Sequence, residues 1–251
     1  MSLRRDEITI GNLRISFLEG GRGPTLIFLH GAPISSRNYQ MMLDYLSRRF
    51  RVIAPDAPGF GKSPPPPEVW SFNDYATVFS KFISLMELDN VYLVGNSFGG
   101  GIASVLGGIN PKIARIGLFA PAGIPVKRWS RFLASFLFVK TTNGALNYHR
   151  FPLLASAFAQ ITTTILTRPH KVSLMYKTIK HSLLTEYPHQ KDIDVPTQII
   201  WFKQDEIFPL KDAAELNQRI RTSTLKIMEG FHDWCYFHPK EHAKLICNFN
   251  G

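Results

Sequence analysis

Ser97 has the sequence setting that most clearly suggests chemistry. It is the centre of Gly-Asn-Ser-Phe-Gly at residues 95–99, between a strand-like apolar run at residues 91–94 and a helix-like run rich in small residues. A serine in so sharp a strand-to-helix turn has a strained backbone, and side chains two residues away on either side would collide with it. Gly95 and Gly99 meet this requirement. The pattern predicts an exposed hydroxyl that can attack an acyl carbon.

A nucleophilic serine needs a base to take its proton and an acid to orient that base. Asp205 follows the apolar run at residues 197–202, and His232 follows the run at residues 224–228. Active sites of parallel sheets lie beyond the carboxyl ends of the strands, so we expect both side chains to meet Ser97. The chain order Ser, Asp, His differs from the orders found in other serine-protease folds. His232 is expected to act as the base and Asp205 to orient it, after which water releases the acyl group.

Other acids and histidines compete for these roles. Glu206 is the nearest rival for the acid, and Glu229 is a weaker one. His238 and His242 fall at the start of the last predicted helix, where solvated histidines are common. His30 is expected to brace a loop and not to catalyse.

The elements that must position these residues alternate between strands and helices. The sequence predicts a hairpin at residues 8–17, and the alternation implies a mostly parallel sheet with helices on both faces. Apolar runs predict strands at residues 25–29, 51–54, 91–94, 113–119, 197–202 and 224–228, and helical periodicity covers residues 39–49, 73–88, 98–109, 211–220 and 239–249.

Two further loop sequences complete a family pattern. His-Gly-Ala-Pro follows the predicted third strand at residues 30–33, and Asp-Ala-Pro-Gly-Phe-Gly-Lys-Ser follows the fourth at residues 56–63. With the serine pentapeptide and the Ser, Asp, His order, the chain resembles the α/β-hydrolase superfamily over nearly its whole length. The resemblance implies an α/β fold with a mostly parallel eight-stranded sheet flanked by helices, whose core is formed by residues 1–120 and 191–251. Residues 121–190 are then an inserted helical cap.

The resemblance also implies an oxyanion hole formed by the backbone N–H groups of Ala32 and Phe98. The chain departs from the family pattern at Phe202 and Phe231, where glycine often precedes the acid loop and the histidine. Both phenylalanines could reshape these loops. A serine at position 97 argues against the dehalogenase and epoxide-hydrolase branches, which use aspartate there.

The predicted cap has an unusual composition. It carries nine Lys or Arg residues and one acid, Glu186, in a chain whose net charge is +10. Its apolar residues either pack the cap onto the core or line a pocket for a lipophilic group. Its basic surface suggests weak contact with an anionic membrane surface or an acidic carrier protein. The apolar residues are Trp129, Phe132, Leu133, Phe136, Leu137, Phe138, Phe151, Leu153, Leu154, Phe158 and Ile161.

Composition narrows the remaining choices. Metal-ligand clusters and nucleic-acid motifs are missing from the sequence. Gly-Lys-Ser at residues 61–63 resembles the end of a phosphate-binding loop, but that loop requires a glycine five residues before Gly61, where this chain has Asp56. We therefore expect no cofactor, no metal and no nucleic acid. Cys235 and Cys247 indicate no disulfide framework, and the amino-terminal residues lack an apolar run, so the predicted location is the cytoplasm.

The sequence thus predicts a serine hydrolase that cleaves a carboxylic ester of a lipophilic small molecule through an acyl-enzyme on Ser97. Two alternatives stay open. One is hydrolysis of a C–C bond beside a ketone, as in ring-cleavage (meta-cleavage) products, by enzymes that resemble this chain in triad and cap. The other is a ligand-binding or receptor protein of the same fold without turnover.

Overall fold

In the computed structural model of the protein, residues 3–130, 162, 166 and 169–249 are described. Eight strands of the described chain form one sheet in the order β1-β2-β4-β3-β5-β6-β7-β8. β1 and β2 form an antiparallel hairpin, β2 pairs antiparallel with β4, and every other neighbouring pair is parallel. The predicted eight-stranded, mostly parallel sheet is confirmed. The strands are β1 (Arg4–Ile10), β2 (Leu13–Gly20), β3 (Thr25–Leu29), β4 (Arg51–Pro55), β5 (Val91–Asn96), β6 (Ile113–Phe119), β7 (Thr197–Phe202) and β8 (Ser223–Met228).

Helices connect the strands and cover the sheet. Short 3₁₀ turns at Ser36–Tyr39 and Pro188–Asp192 supplement them. The helix predicted at residues 39–49 begins one residue later and ends three residues earlier, at Leu46, because residues 47–49 form a turn. The α-helices of the described residues are α1 (Gln40–Leu46), α2 (Phe72–Leu85), α3 (Phe98–Ile109), α4 (Pro169–Leu184), α5 (Leu210–Arg219), α6 (Trp234–Phe237) and α7 (Pro239–Asn248).

The core lies on both faces of the sheet, which is why its central strands are apolar without interruption. All six residues of β5 are buried. Successive side chains of a strand point to opposite faces, so Leu93 joins one hydrophobic cluster and Val94 the other. Burial of both faces fixes the register of each strand. It thereby also fixes the position of the strand's carboxyl end.

Glycines let α3 lie close to the sheet and to the loop after β6. A methyl group on Gly100 would come within 2.6 Å of the Cβ of Pro121. Such close approach holds the amino-terminal end of α3 at the carboxyl edge of the sheet.

The predicted cap at residues 121–190 is only partly described. Residues 131–161, 163–165 and 167–168 lie outside the described residues, and so do all of the cap's apolar residues named above except Trp129. The prediction of a cap domain therefore stays a prediction. Within the described part, α4 occupies residues 169–184, and Trp129 donates a hydrogen bond from its indole to the Tyr176 hydroxyl at 2.9 Å. Among the described helices, none combines the length and apolar character needed to cross a membrane.

Candidate active site

Ser97 lies in a strained turn between β5 and α3. Its φ and ψ are 53° and −118°, a positive-φ conformation that side-chain-bearing residues rarely adopt and that costs roughly 1–3 kcal/mol. Its N–H donates to the Phe119 carbonyl at 3.0 Å, and its own carbonyl accepts from the N–H groups of Gly101 and Ala122 at 3.1 and 2.9 Å. Hydrogen bonds from both sides therefore hold the serine in this conformation.

The glycines on either side are sterically required. A Cβ on Gly95 would come within 2.7 Å of the Gly100 Cα and 2.8 Å of the Ala103 Cβ. A Cβ on Gly99 would overlap the Leu29 carbonyl oxygen. Glycine is therefore required at both positions, but a side chain would clash with α3 at Gly95 and with the end of β3 at Gly99, and not with Ser97.

A continuous chain of hydrogen bonds joins Ser97, His232 and Asp205. The His232 Nε2 lies 2.9 Å from the Ser97 Oγ, and the His232 Nδ1 lies 2.9 Å from the Asp205 Oδ2. His232 is 6% exposed and Asp205 is 8% exposed, so the pair lies in a largely water-excluded setting. In the neutral imidazole whose Nδ1 donates to an ionised Asp205, Nε2 has the lone pair that accepts from the serine hydroxyl. This arrangement can move a proton from the serine to the imidazole.

The Asp205 carboxylate is held from its other side by the backbone. Its Oδ1 accepts from the N–H groups of Ile207 and Phe208, both at 2.9 Å. The Phe208 ring lies edge-on to the His232 imidazole, with 5.3 Å between the ring centroids. One carboxylate oxygen is thus anchored, and the other is left to orient the histidine.

The rival acids lie elsewhere. Glu206 is exposed to solvent. Partial desolvation of its carboxyl, and then the charge of the neighbouring Asp205, raise the pKa of that carboxyl. Glu229 is also exposed and pairs with Lys203. Neither carboxylate replaces Asp205 beside His232.

Gln204 ties the acid loop to the histidine loop, a contact that the sequence analysis missed. Its N–H donates to the Gly230 carbonyl at 3.0 Å, and its side-chain oxygen accepts from the Gly230 N–H at 2.7 Å. Its side-chain amide donates to Glu229 at 2.7 Å. The positions of Asp205 and His232 are therefore coupled through the residues that precede them.

The two departures from the family pattern have different surroundings. Phe202 is fully buried and stacks on Trp234 at 5.3 Å, and Trp234 stacks in turn on His238 at 4.7 Å. The stack lies against the loop that carries His232, since a methyl group on Gly230 would come within 2.6 Å of Trp234 and 3.2 Å of Phe202. Phe231 is 45% exposed.

His30 braces the loop after β3. The Ala57 N–H donates to its Nε2 at 3.0 Å, so the proton is on Nδ1, which donates to the Gly31 carbonyl at 2.9 Å. Burial lowers the pKa of the imidazole and favours this neutral form. The braced loop lies beside the nucleophile, since a methyl group on Gly31 would come within 3.3 Å of the Ser97 Cβ.

The two N–H groups predicted to form an oxyanion hole belong to this loop and to the serine turn. Ala32 follows Gly31 in the loop after β3, and Phe98 is the first residue of α3. An N–H in the first turn of a helix has no acceptor within that helix, and the positive end of the helix dipole lies there. The Phe98 N–H can therefore donate a hydrogen bond to a negatively charged oxygen that forms beside Ser97.

Asp56 explains the motif at residues 56–63. Its fully buried carboxylate accepts from the Ser36 hydroxyl at 2.5 Å, from Arg5 at 2.8 Å and from the Lys62 N–H at 2.9 Å. Burial pushes its pKa upward, but the Lys62 N–H, the Ser36 hydroxyl and the Arg5 charge hold the pKa below its ordinary value. Through Asp56, the motif thus anchors the 3₁₀ turn Ser36–Tyr39, which follows the His30 loop.

One expectation from the sequence is wrong. His242 was expected to be solvated, but its side chain is fully buried on α7, with ring centroids 4.4 Å from Phe119 and 6.2 Å from Phe28. Burial lowers its pKa to about 3. It packs in the core and belongs to no predicted site.

A cavity of about 650 Å³ lies against the acid loop. Its apolar lining includes Ile124 and Phe208, and its charged lining includes Lys127, Arg128 and Asp212. The cavity adjoins the acid loop through Phe208, the residue whose ring contacts His232.

Comparison with known proteins assigns the fold to a family. The family model described as alpha/beta hydrolase fold matches residues 24–239. A monoacylglycerol lipase of Xenopus laevis, abhd6-B, is 25% identical over an alignment of 261 positions, gaps included, that covers 91% of this chain and 76% of that protein. Among solved structures, a serine hydrolase involved in carbazole degradation superposes with a TM-score of 0.81 at 22% identity, covering 99% of this chain and 98% of the other. A bacterial membrane phospholipase A superposes with a TM-score of 0.81 at 22% identity, covering 99% and 86%. The chain therefore belongs to the α/β-hydrolase fold family of enzymes.

Proposed function

We propose that the protein is a serine hydrolase that cleaves a carboxylic ester of a lipophilic small molecule through an acyl-enzyme on Ser97. The observation that carries this proposal is the unbroken chain of hydrogen bonds from the Ser97 hydroxyl through His232 to Asp205, with 2.9 Å at each step. A hydroxyl held beside a neutral imidazole that is itself oriented by a carboxylate is the arrangement that activates serine.

In the first half of the reaction, the His232 Nε2 takes the Ser97 proton while the Ser97 Oγ forms a bond to the ester carbonyl carbon. The carbonyl π electrons move to oxygen and give a tetrahedral oxyanion. The His232 imidazolium, stabilised by Asp205, then returns the proton to the alcohol oxygen as the C–O bond to the alcohol breaks. The products are the free alcohol and the acylated serine.

In the second half, water replaces the alcohol. His232 takes a proton from water as the water oxygen bonds to the acyl carbon, and the imidazolium gives that proton to Ser97 when the bond to serine breaks. Each half passes through an oxyanion beside Ala32 and Phe98, whose N–H groups stabilise it. Loss of one such donor typically lowers turnover by about two to three powers of ten.

A lipophilic acyl group is supported by two observations of different kinds. The relative from Xenopus laevis is named a monoacylglycerol lipase, and its similarity extends over 91% of this chain. Residues 121–190 are rich in large apolar side chains and in positive charge, with nine Lys or Arg residues and one acid. An apolar cap over the serine would bind an acyl chain, and its basic surface would meet anionic lipid or an acidic carrier protein.

The test is hydrolysis of p-nitrophenyl acetate, butyrate, octanoate and palmitate by the wild-type protein and by Ser97→Ala. We expect turnover that rises from acetate to the longer acyl chains and is lost in Ser97→Ala. A ring-cleavage dienoate is assayed in parallel by the loss of its yellow colour. Turnover of the dienoate with none of the esters would replace ester hydrolysis with C–C hydrolysis, and turnover of neither would favour a binding protein.

A further inference from the structure

The Tyr39 hydroxyl lies between the two backbone segments that carry the proposed oxyanion donors. Tyr39 is the last residue of the 3₁₀ turn Ser36–Tyr39 and is 4% exposed. Its hydroxyl donates to the Asn96 side-chain oxygen at 2.5 Å. Asn96 directly precedes Ser97 at the end of β5, so this bond reaches the serine turn.

The same hydroxyl also contacts the loop after β3. A methyl group on Gly31 would lie 3.3 Å from the Tyr39 hydroxyl and 3.3 Å from the Ser97 Cβ. Gly31 directly precedes Ala32, so one hydroxyl joins the two segments.

Asn96 extends the connection to the backbone of the serine. Its side-chain amide donates to the Phe119 carbonyl at 2.9 Å, and the same carbonyl accepts the Ser97 N–H at 3.0 Å. The side chain of Asn96 is therefore fixed at both ends. A shift of Asn96 would be transmitted directly to Ser97.

The Tyr39 ring packs between two aromatic side chains, which fix the position of its hydroxyl. Its centroid lies 4.8 Å from that of Phe28 and 6.0 Å from that of Tyr236. Burial, with a smaller effect of the nearby Cys235, raises the pKa of the hydroxyl well above its ordinary value. The hydroxyl therefore keeps its proton and remains a donor to Asn96 at any pH suited to an assay.

We propose that Tyr39 is a positioning residue that sets the spacing between the Ala32 and Phe98 N–H groups, because its hydroxyl packs against Gly31 while it donates to Asn96. This proposal rests on the proposed function, because it concerns the oxyanion of that reaction. Tyr39 touches no reacting atom. It acts on the geometry in which the transition state is bound, and small displacements of such donors reduce turnover strongly.

The test is Tyr39→Phe, which removes one oxygen and keeps the ring. We expect kcat for a p-nitrophenyl ester to fall by about tenfold to a hundredfold, because a misplacement of about 1 Å in a reactive site can cost about a hundredfold, with KM changed less than about twofold. The inhibition constant of an alkylboronic acid, which forms a tetrahedral adduct on serine, should rise by a similar factor.

Tyr92→Phe is the matched control. Tyr92 is also buried, and its hydroxyl donates to the Ile246 carbonyl at 3.3 Å, away from Ser97. Loss of the Tyr92 hydroxyl should lower the unfolding midpoint about as much as Tyr39→Phe does. It should leave kcat and the binding of the boronic acid unchanged.

Three results would overturn the proposal. These are unchanged kcat in Tyr39→Phe, a rise in KM without loss of kcat, and an equal loss of kcat in Tyr92→Phe. An active wild-type protein with any of these results would remove the role of Tyr39 alone. A wild-type protein that hydrolyses no ester would remove the proposed function and the role of Tyr39 with it.

Discussion

His242 should make the folded protein sensitive to acid. Its imidazole is fully buried on α7 between Phe119 and Phe28, its Nδ1 lies 3.3 Å from the Cys235 carbonyl, and its Nε2 has no partner among the described residues. Burial lowers its pKa to about 3, and the hydrogen bond to Cys235 offsets this only in part. A positive charge at this position would therefore lie in the core without a counter-charge.

The direction and size of the effect follow from linkage. An unfolded chain binds a proton at this histidine below its ordinary pKa of 6.5, whereas the folded chain binds it only near pH 3. The unfolded state therefore binds more protons between these values, and the free energy of unfolding falls as the pH falls through that window. Between pH 7 and pH 5 the contribution of His242 is a loss of about 2 kcal/mol. In a domain of this size that is a fall of about 4–8 °C in Tm.

The assay is urea unfolding at pH 7, 6 and 5, followed by tryptophan fluorescence, of the wild-type protein and His242→Gln. Glutamine does not titrate, so the stability difference between the two proteins should shift by about 2 kcal/mol in favour of the variant from pH 7 to pH 5. His181→Gln removes an exposed histidine and should leave the pH dependence of the wild type unchanged. A stability difference between wild type and His242→Gln that is constant with pH would refute a buried, neutral His242.

Three further outcomes are expected. Asp205→Asn should lower kcat for esters by about 10⁴-fold, because an amide no longer fixes the tautomer or stabilises the imidazolium of His232; a loss below tenfold in steady-state kinetics would contradict this. Gly99→Ala should lower the free energy of unfolding by about 1–3 kcal/mol in urea titrations, because the new methyl overlaps the Leu29 carbonyl, and an unchanged midpoint would argue against the close approach. Asp212 has a pKa raised by burial from 3.8 to about 6, so the folded state holds its proton more tightly and stability falls as the pH rises from 4 to 6. Asp212→Asn should remove that fall, and thermal unfolding at pH 4 and pH 7 should show the variant gaining stability relative to wild type only at the higher pH.

The sheet was predictable because its central strands are buried on both faces. Predicted strands at residues 25–29, 113–119 and 197–202 coincide with β3, β6 and β7. Uninterrupted apolar runs of this length have few competing structures when turn residues bound them. The end of α1 was less predictable, because the N–H groups of Arg48 and Arg49 donate to carbonyls three residues back in a tighter turn that has the same helical signal.

The sequence alone predicted less well which of two adjacent acids contacts His232. Asp205 and Glu206 are adjacent, and chain order alone does not separate them. The structure shows a local signal in the short Asp205 side chain, which accepts the N–H groups two and three residues ahead. Aspartate favours this turn and glutamate does not, so the acid that can be anchored by its own loop is the one to choose.

The sequence around His242 carries a signal for its burial. His242 and Ile246 are four residues apart, and Ala243 lies beside them on the buried face of α7. A histidine on the apolar face of an amphipathic helix is buried with that face. The bridge from Tyr39 to Asn96 had no such signal, because these residues are 57 positions apart and meet only through the fold.

The most direct test of the central claim is labelling with a fluorophosphonate, which reacts covalently with an activated serine. We expect intact-protein mass spectrometry to show one added probe in the wild type, peptide mapping to place it on Ser97, and no addition in Ser97→Ala. His232→Gln should react at least about a hundredfold more slowly, because the base that takes the serine proton is missing. A wild-type protein that stays unlabelled, or a Ser97→Ala protein that gains the same mass, would contradict the assignment of Ser97 as the nucleophile.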